Sequence, residues 1–196
     1  MNYLLHLYLA DPTPESLLGN LMGDFVKGRL DESISPELRQ GITLHRRVDS
    51  FAHDHDLVRR SKNRISPRYG HYRSIMVDIF YDHFLARNWQ RYAPMPLESF
   101  AAGVYRLLQE REAQLPTGLR RIAPRMIAHN WLVSYRDVQV IGRVLAGVSG
   151  RLRRANPLAE GLGELTRNYD VLQEDFETFV TDLEAFVAEI KAGGVP

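Results

Sequence analysis

The segment Ile75-Met76-Val77-Asp78-Ile79-Phe80-Tyr81-Asp82-His83-Phe84-Leu85 narrows the folds open to this chain more than any other stretch. It is apolar apart from two aspartates and a histidine, so a helix through it has to be mostly buried. Asp78 and Asp82 are four residues apart, which puts both carboxylates on one helical face. Like charges at that spacing repel, and burial raises the cost of each. A divalent cation is the obvious compensation, and a neutralising arginine is the rival. Asp78 is therefore a candidate both as ligand and as catalytic carboxylate, and Asp82 as ligand. His83 lies about 100° round the helix from Asp82. That direction suits an acid–base or substrate role better than a ligand position beside both aspartates.

The rest of the chain reads as helix, with no sustained period-two alternation, so the expected class is all-α, a single helical bundle over residues 1–196. The spacing predicts helices over 2–10, 15–27, from Pro36 through the His45 region, and over 73–92, 97–114, 119–133, 135–148 and 158–191. Ser35-Pro36 opens the third, with proline at its first helical position. Arg64 to Arg73 reads as a loop and Arg151 to Arg154 as a basic connection. Leu162, Leu165, Tyr169, Leu172, Phe176, Phe179, Leu183, Phe186 and Ile190 recur at three- and four-residue steps, a seam expected to face the chain's own core, with a dimer seam as the alternative.

Other polar residues stand out against apolar surroundings. His45 and Asp49 repeat the four-residue spacing, flanked by Arg46 and Arg47. The pair suits metal ligation beside an anionic substrate, and equally suits a simple hydrogen bond on a helix surface. His6 is set among leucines, and Asp24 follows a largely apolar helix with Asn20 one turn earlier. Each alone reads as a buried polar group with a partner. Together with the two pairs they point to one shared site. Gly19 and Gly23, four apart, permit close helix approach there. His53-Asp54-His55-Asp56 imitates such a site, but consecutive residues diverge on a helix, and it is expected at an exposed helix surface or loop. Trp131 to Asp137 offers Arg136 either to an ion pair with Asp137 or to a phosphate.

Composition limits the chemistry. There are no cysteines, so thiolate metal sites, disulfides and cysteine nucleophiles are excluded. A metal would need His, Asp, Glu, backbone or water ligands, which favours harder ions without excluding zinc. The net charge of +1 conceals an asymmetry: residues 1–156 carry 23 basic and 15 acidic side chains, net +8, and residues 157–196 carry 2 and 9, net −7. Arginine supplies 22 of the 25 basic residues, a choice that suits phosphate and carboxylate recognition and that high-GC coding also produces. The first ten residues lack the basic stretch of a signal peptide, and no stretch reaches membrane-spanning length. A cytoplasmic protein is expected, with neither membrane nor nucleic-acid partner and an oligomeric state left open.

Several segments taken together resemble the acyl carrier protein phosphodiesterase family, relatives of the HD phosphohydrolases. They are Asn2 to Leu7, Gly19-Asn20-Leu21-Met22-Gly23-Asp24-Phe25-Val26-Lys27-Gly28, His45-Arg46-Arg47-Val48-Asp49, Asp78 to Leu85, and Trp131 to Asp137. The resemblance implies an HD-like helical fold and a divalent metal, manganese first, with magnesium or iron(II) as alternatives. It also implies hydrolysis of 4′-phosphopantetheine from holo-acyl carrier protein, an acidic protein substrate. Carried over by position, the metal candidates are His6, Asp24, His45, Asp49, Asp78 and Asp82. His83, Asp78, Arg46 and Arg47 are the catalytic candidates, and Asn20, Arg46, Arg47 and Arg136 the substrate-binding ones. The competing readings are an HD-type hydrolase of nucleotides or another small phosphodiester, and a non-enzymatic basic helical module.

Overall fold

Residues 3–193 are described in the computed structural model of this chain; Met1, Asn2 and residues 194–196, and with them the predicted start of the first helix, lie outside that range. Helices α1 (Tyr3–Leu9), α2 (Pro14–Met22) and α3 (Pro36–Asp54) come first. Two of their starts follow the sequence rules. Thr13 caps α2 by accepting the Ser16 N–H, Ser35 caps α3 by accepting the Leu38 N–H, and a proline follows each cap. Helix α1 is capped from elsewhere: the Asp82 carboxylate accepts the Leu4 N–H at 3.0 Å and the Leu5 N–H at 2.9 Å. Seven residues are too few for an isolated helix in water, so this tertiary cap and an almost wholly buried surface hold α1 in place.

Helix α4 (Asp56–Arg64) falls in the polar stretch after the predicted third helix. It buries only Val58 and Ser61, so it carries little apolar stripe to read. His55 is extended at the end of α3 and caps α4, its Nδ1 accepting the Leu57 N–H. A 3₁₀ segment over Pro67–Tyr72 replaces the predicted loop and leads into α5 (Arg73–Arg87). Helix α5 is buried without interruption from Ile79 to Ala86, as its composition requires.

Helices α6 (Leu97–Glu110), α7 (Thr117–Ala128), α8 (Trp131–Ser134) and α9 (Val138–Ser149) follow. The predicted 119–133 helix is split where Asn130 adopts a left-handed conformation, with φ at 46°. The predicted final helix is also split, into a 3₁₀ turn at Leu158–Glu160, α10 (Leu162–Arg167) and α11 (Tyr169–Lys191). Helix α11 packs on α3, α4 and α5, and Leu172, Phe176, Phe179 and Leu183 of the predicted seam enter the common core. The described residues contain no strand, which matches the expected all-α class. No helix among them is long and apolar enough to cross a membrane.

Helices α2 and α3 cross at close range. A Cβ on Gly19 would lie 2.6 Å from the Leu38 carbonyl oxygen and 2.9 Å from the Gly41 Cα. A Cβ on Gly41 would meet the Gly19 Cα at 2.9 Å in turn. The two backbones touch, and no larger residue fits at either position.

Candidate metal centre

Four polar residues from three consecutive elements meet beside that crossing. His6 projects from α1, Asp24 from the turn after α2, and His45 and Asp49 from successive turns of α3. Helix α2 ends at Met22, earlier than the spacing predicts, so Asp24 sits in a turn where it is free of helical direction. His6 Nε2 lies 3.2 Å from one oxygen of Asp49, and His45 Nε2 lies 3.2 Å from the other. A carboxylate oxygen of Asp24 stands 3.8 Å from the same His45 nitrogen. The two imidazoles stack with centroids 3.7 Å apart, so both present Nε2 towards Asp49. Gly23 makes room for this: a Cβ there would fall 2.2 Å from His45 Cγ.

The histidines are buried, while the Asp49 side chain is 54% exposed. The group is thus dry on one side and open to solvent on the other. His6 Nδ1, His45 Nδ1 and Asn20 Oδ1 are buried without a hydrogen-bond partner among the described residues, and His45 Nε2 has only its charge contacts with Asp49 and Asp24, without hydrogen-bond geometry. Such orphans are rare, and their concentration on α1, α2 and α3 marks this place as built for something more than packing. Asn20 donates to the Ser16 carbonyl at 2.9 Å, leaving its oxygen as the orphan.

Electrostatics agree. Burial drives the His6 imidazole down to about 4, against the pull of Asp49. Burial also opposes charge on His45, but Asp24 and Asp49 outweigh it and raise that imidazole to about 9. Asp24 is held down to about 2, and Asp49 well below the carboxylate range; in both, burial is overcome by His45, and for Asp49 by His6 as well. The carboxylates thus create a demand for positive charge that a proton on His45 or a cation can meet.

His6, His45 and Asp49 form the compact set of metal-ligating groups among the described residues, their donor atoms all within 4.8 Å of one another. Two donors each about 2.1 Å from one cation, at tetrahedral or octahedral angles, stand about 3.0–3.4 Å apart. The 3.2 Å separations match that spacing. Two imidazoles with carboxylate suit manganese, iron or zinc.

The remaining sequence candidates divide. Asp82, a candidate ligand by sequence, is fully buried with both oxygens engaged by α1 amides; burial raises its carboxyl to about 7 against those two hydrogen bonds. The compensation it needs comes from a helix N-terminus. Asp78 stands outside the compact set, half-buried, its carboxyl raised by burial and by the negative charge of Asp49. His83, a candidate acid, has both nitrogens occupied: Nδ1 bonds the Tyr135 carbonyl at 2.7 Å and Nε2 the Tyr169 hydroxyl at 2.9 Å. Burial lowers its imidazole. Its surroundings account for its polarity without reference to the metal centre.

Arg46 donates to the Gly28 and Val26 carbonyls at 2.8 Å each, pinning the segment after Asp24. Arg47 lies over the Phe186 ring at 5.6 Å. Neither has a carboxylate partner among the described residues, so both keep their charge available. Arg136 is paired with Glu98 at 2.7 Å, not with Asp137. His53 and Asp54 stay at the exposed end of α3, and His55 contacts Asp182 at 3.4 Å, away from the centre. Gly23 was legible as a close-packing glycine, but its service to His45 needs coordinates.

Fold and donor set together define the class: an all-helical protein with a candidate histidine–aspartate metal centre on its first three helices. The family model described as acyl carrier protein phosphodiesterase matches residues 1–183. Relatives bearing that same name, from Serratia proteamaculans (strain 568), Escherichia coli O139:H28 and Escherichia coli K12, are each 36% identical over 187 residues, spanning 91% of this chain and 93% of theirs. The chain belongs to the acyl carrier protein phosphodiesterase family. No solved structure matches it.

Proposed function

We propose that this protein is a metal-dependent phosphodiesterase that hydrolyses the bond between 4′-phosphopantetheine and the serine of holo-acyl carrier protein, releasing apo-protein. The observation that carries the metal is the convergence of His6, His45 and Asp49, with buried imidazole nitrogens that no described residue hydrogen-bonds. Membership of the family carries the substrate. In this reading His6, His45 and Asp49 hold a divalent cation, manganese first, with Asp24 next to His45 as the fourth group. The cation would supply positive charge to the phosphoryl oxygens and make water a usable nucleophile at neutral pH.

The chain's own residues divide the remaining work. Asp82 is a positioning residue: it anchors the start of α1, and so fixes the turn that carries His6. Asp78, with its raised carboxyl near Asp49, is our candidate to give a proton to the leaving serine oxygen. That role passes to it from His83, whose nitrogens are both occupied. Arg46 and Arg47, adjacent to His45, are candidates to neutralise the diester.

Mass spectrometry of holo-carrier protein incubated with the enzyme tests this. With Mn²⁺ the pantetheinyl group is expected to be lost, and with EDTA retained. Undiminished release in EDTA sinks the metal, and an intact holo-protein under both conditions sinks the substrate.

A further inference from the structure

A cleft of about 890 Å³ opens between α7, α8 and α9, separate from the residues that make the metal centre. Ile79, Ile122, Trp131 and Val144 give it apolar lining, and Arg121, Arg125, Arg143 and Arg151 line it too, with no aspartate or glutamate among the lining residues. Eight other arginines, Arg59, Arg60, Arg64, Arg68, Arg91, Arg111, Arg136 and Arg167, pair with carboxylates, so charge compensation is available in this chain where a guanidinium lies near an acid. The guanidinium groups of the four cleft arginines have no ion pair or hydrogen bond to any described residue. Four uncompensated like charges around an apolar hollow repel one another, and an anionic partner with an apolar body relieves them.

Two further lining residues bear on which partner the cleft takes. Tyr3 and Phe25 line it. Tyr3 is three residues before His6 on α1, a rise of about 4.5 Å, and Phe25 directly follows Asp24. The cleft lining therefore includes chain neighbours of two groups of the metal centre, and it shares helix α1 with that centre. The diester of the preceding subsection has two branches at phosphorus, a slender apolar-and-amide arm and a protein. Resting on that reading, we propose that the cleft receives the pantetheinyl arm while an acidic face of the carrier protein lies on Arg121, Arg125, Arg143 and Arg151. These four arginines set the docking of the protein branch, and the apolar lining selects the arm.

Gly147 makes the two halves separable. It lines the cleft, and a Cβ there meets nothing within 4 Å, so a side chain can start from this position without a clash at its base, and Gly147→Trp is chosen to occupy the hollow. Two probes that need no turnover, free 4′-phosphopantetheine and apo-carrier protein, are titrated onto the Mn²⁺-loaded full chain by calorimetry. Gly147→Trp is expected to weaken phosphopantetheine at least about tenfold and apo-carrier protein by less than about twofold. Arg125→Glu/Arg143→Glu is expected to weaken apo-carrier protein at least about tenfold and to flatten its salt dependence. Arg106→Glu, a charge reversal on the exposed side of α6 outside the cleft, is expected to change neither by more than about twofold.

Unchanged phosphopantetheine affinity in Gly147→Trp overturns the arm assignment. Equal losses in Arg106→Glu and the cleft pair overturn the docking surface, as does equally tight binding of an unrelated acidic protein or a single-stranded nucleic acid. Binding of both probes without any release of phosphopantetheine sinks the catalytic reading and leaves the cleft assignment standing. Release without the predicted binding losses does the reverse.

Discussion

Two groups of buried charge lie in this molecule, and they are finished differently. Asp175 on α11 is fully buried, and every lone pair it presents is used. Arg60 donates to one oxygen from Nε at 2.8 Å and again from a terminal nitrogen; Arg64 donates to the other oxygen at 2.9 Å, as does the Ser61 hydroxyl. Ser61 in turn lies 2.9 Å from the Tyr81 hydroxyl. The centre on α1, α2 and α3 uses similar ingredients but stops short: the Nδ1 atoms of His6 and His45 have no hydrogen-bond partner among the described residues, and the carboxylate facing both rings is half-exposed. A closed network of this kind fixes one arrangement of α4 against α11. An open one keeps donor capacity for something that arrives from outside. Burial alone does not separate structure from chemistry, but the account of satisfied and unsatisfied atoms does.

Truncation at the open centre gives the widest separation. His45→Ala is expected to abolish stoichiometric metal binding and lower carrier-protein hydrolysis by at least about 100-fold, while the metal-free protein still folds cooperatively. Elemental analysis beside a thermal scan reads both, and full metal content in the variant breaks the contrast.

Asp175→Ala should act the other way round, on stability and not on metal. Removing one partner of a buried ion network costs about 3 kcal/mol, the low end of the range because Arg60 is 54% exposed. Chemical denaturation measures it. A loss below about 0.5 kcal/mol would place this network among ordinary surface pairs.

Gly23→Ala probes the open centre more gently. Its methyl group would collide with the His45 ring, and the displaced imidazole is expected to weaken Mn²⁺ about 10- to 100-fold while the fold survives. Calorimetric titration decides it, and unaltered affinity would mean that His45 is not held where Gly23 leaves room.

The smallest expected effect is in pH, where the two regions titrate in opposite directions. The folded His45 is raised from 6.5 to about 9, so in metal-free protein its contribution is complete below pH 6.5 and is lost as pH rises towards 9. Asp175 is held below its ordinary 3.8, because its arginine and serine partners outweigh burial. Its contribution is complete above that value and is lost as pH falls through the lower folded one. Melting temperature against pH should therefore fall on both flanks. His45→Gln should flatten the alkaline flank alone, and an alkaline flank unaffected by that change would remove His45 from the account.

Much of this centre was legible in the sequence, though for uneven reasons. The pair His45 and Asp49 carried its own geometry, because helical spacing fixes which residues share a face. Lone polar residues in apolar surroundings, His6 and Asp24, were correctly read as needing partners, and the structure brings both to His45 or Asp49. The anomaly at Asp82 was real, but its resolution is the N-terminus of a helix 77 and 78 residues earlier in the chain, which no local pattern displays. His83 is settled similarly by Tyr135 and Tyr169. Helix α4 escaped notice because capping and a few buried residues hold it, without an apolar stripe. The cleft arginines carry no local pattern in the sequence, and what marks them is their meeting around one apolar hollow.

The contact of Gly19 with Gly41 carries a lesson for anyone who would transplant this centre. Where side chains separate two helices, a graft can be tuned by resizing them. Here backbone meets backbone, so the offset between Asp24 and His45 is set by the thickness of the main chain itself. The spacing comes with the segment from α2 through Asp49 as a single part. It can be moved whole, but it cannot be rebuilt around larger residues.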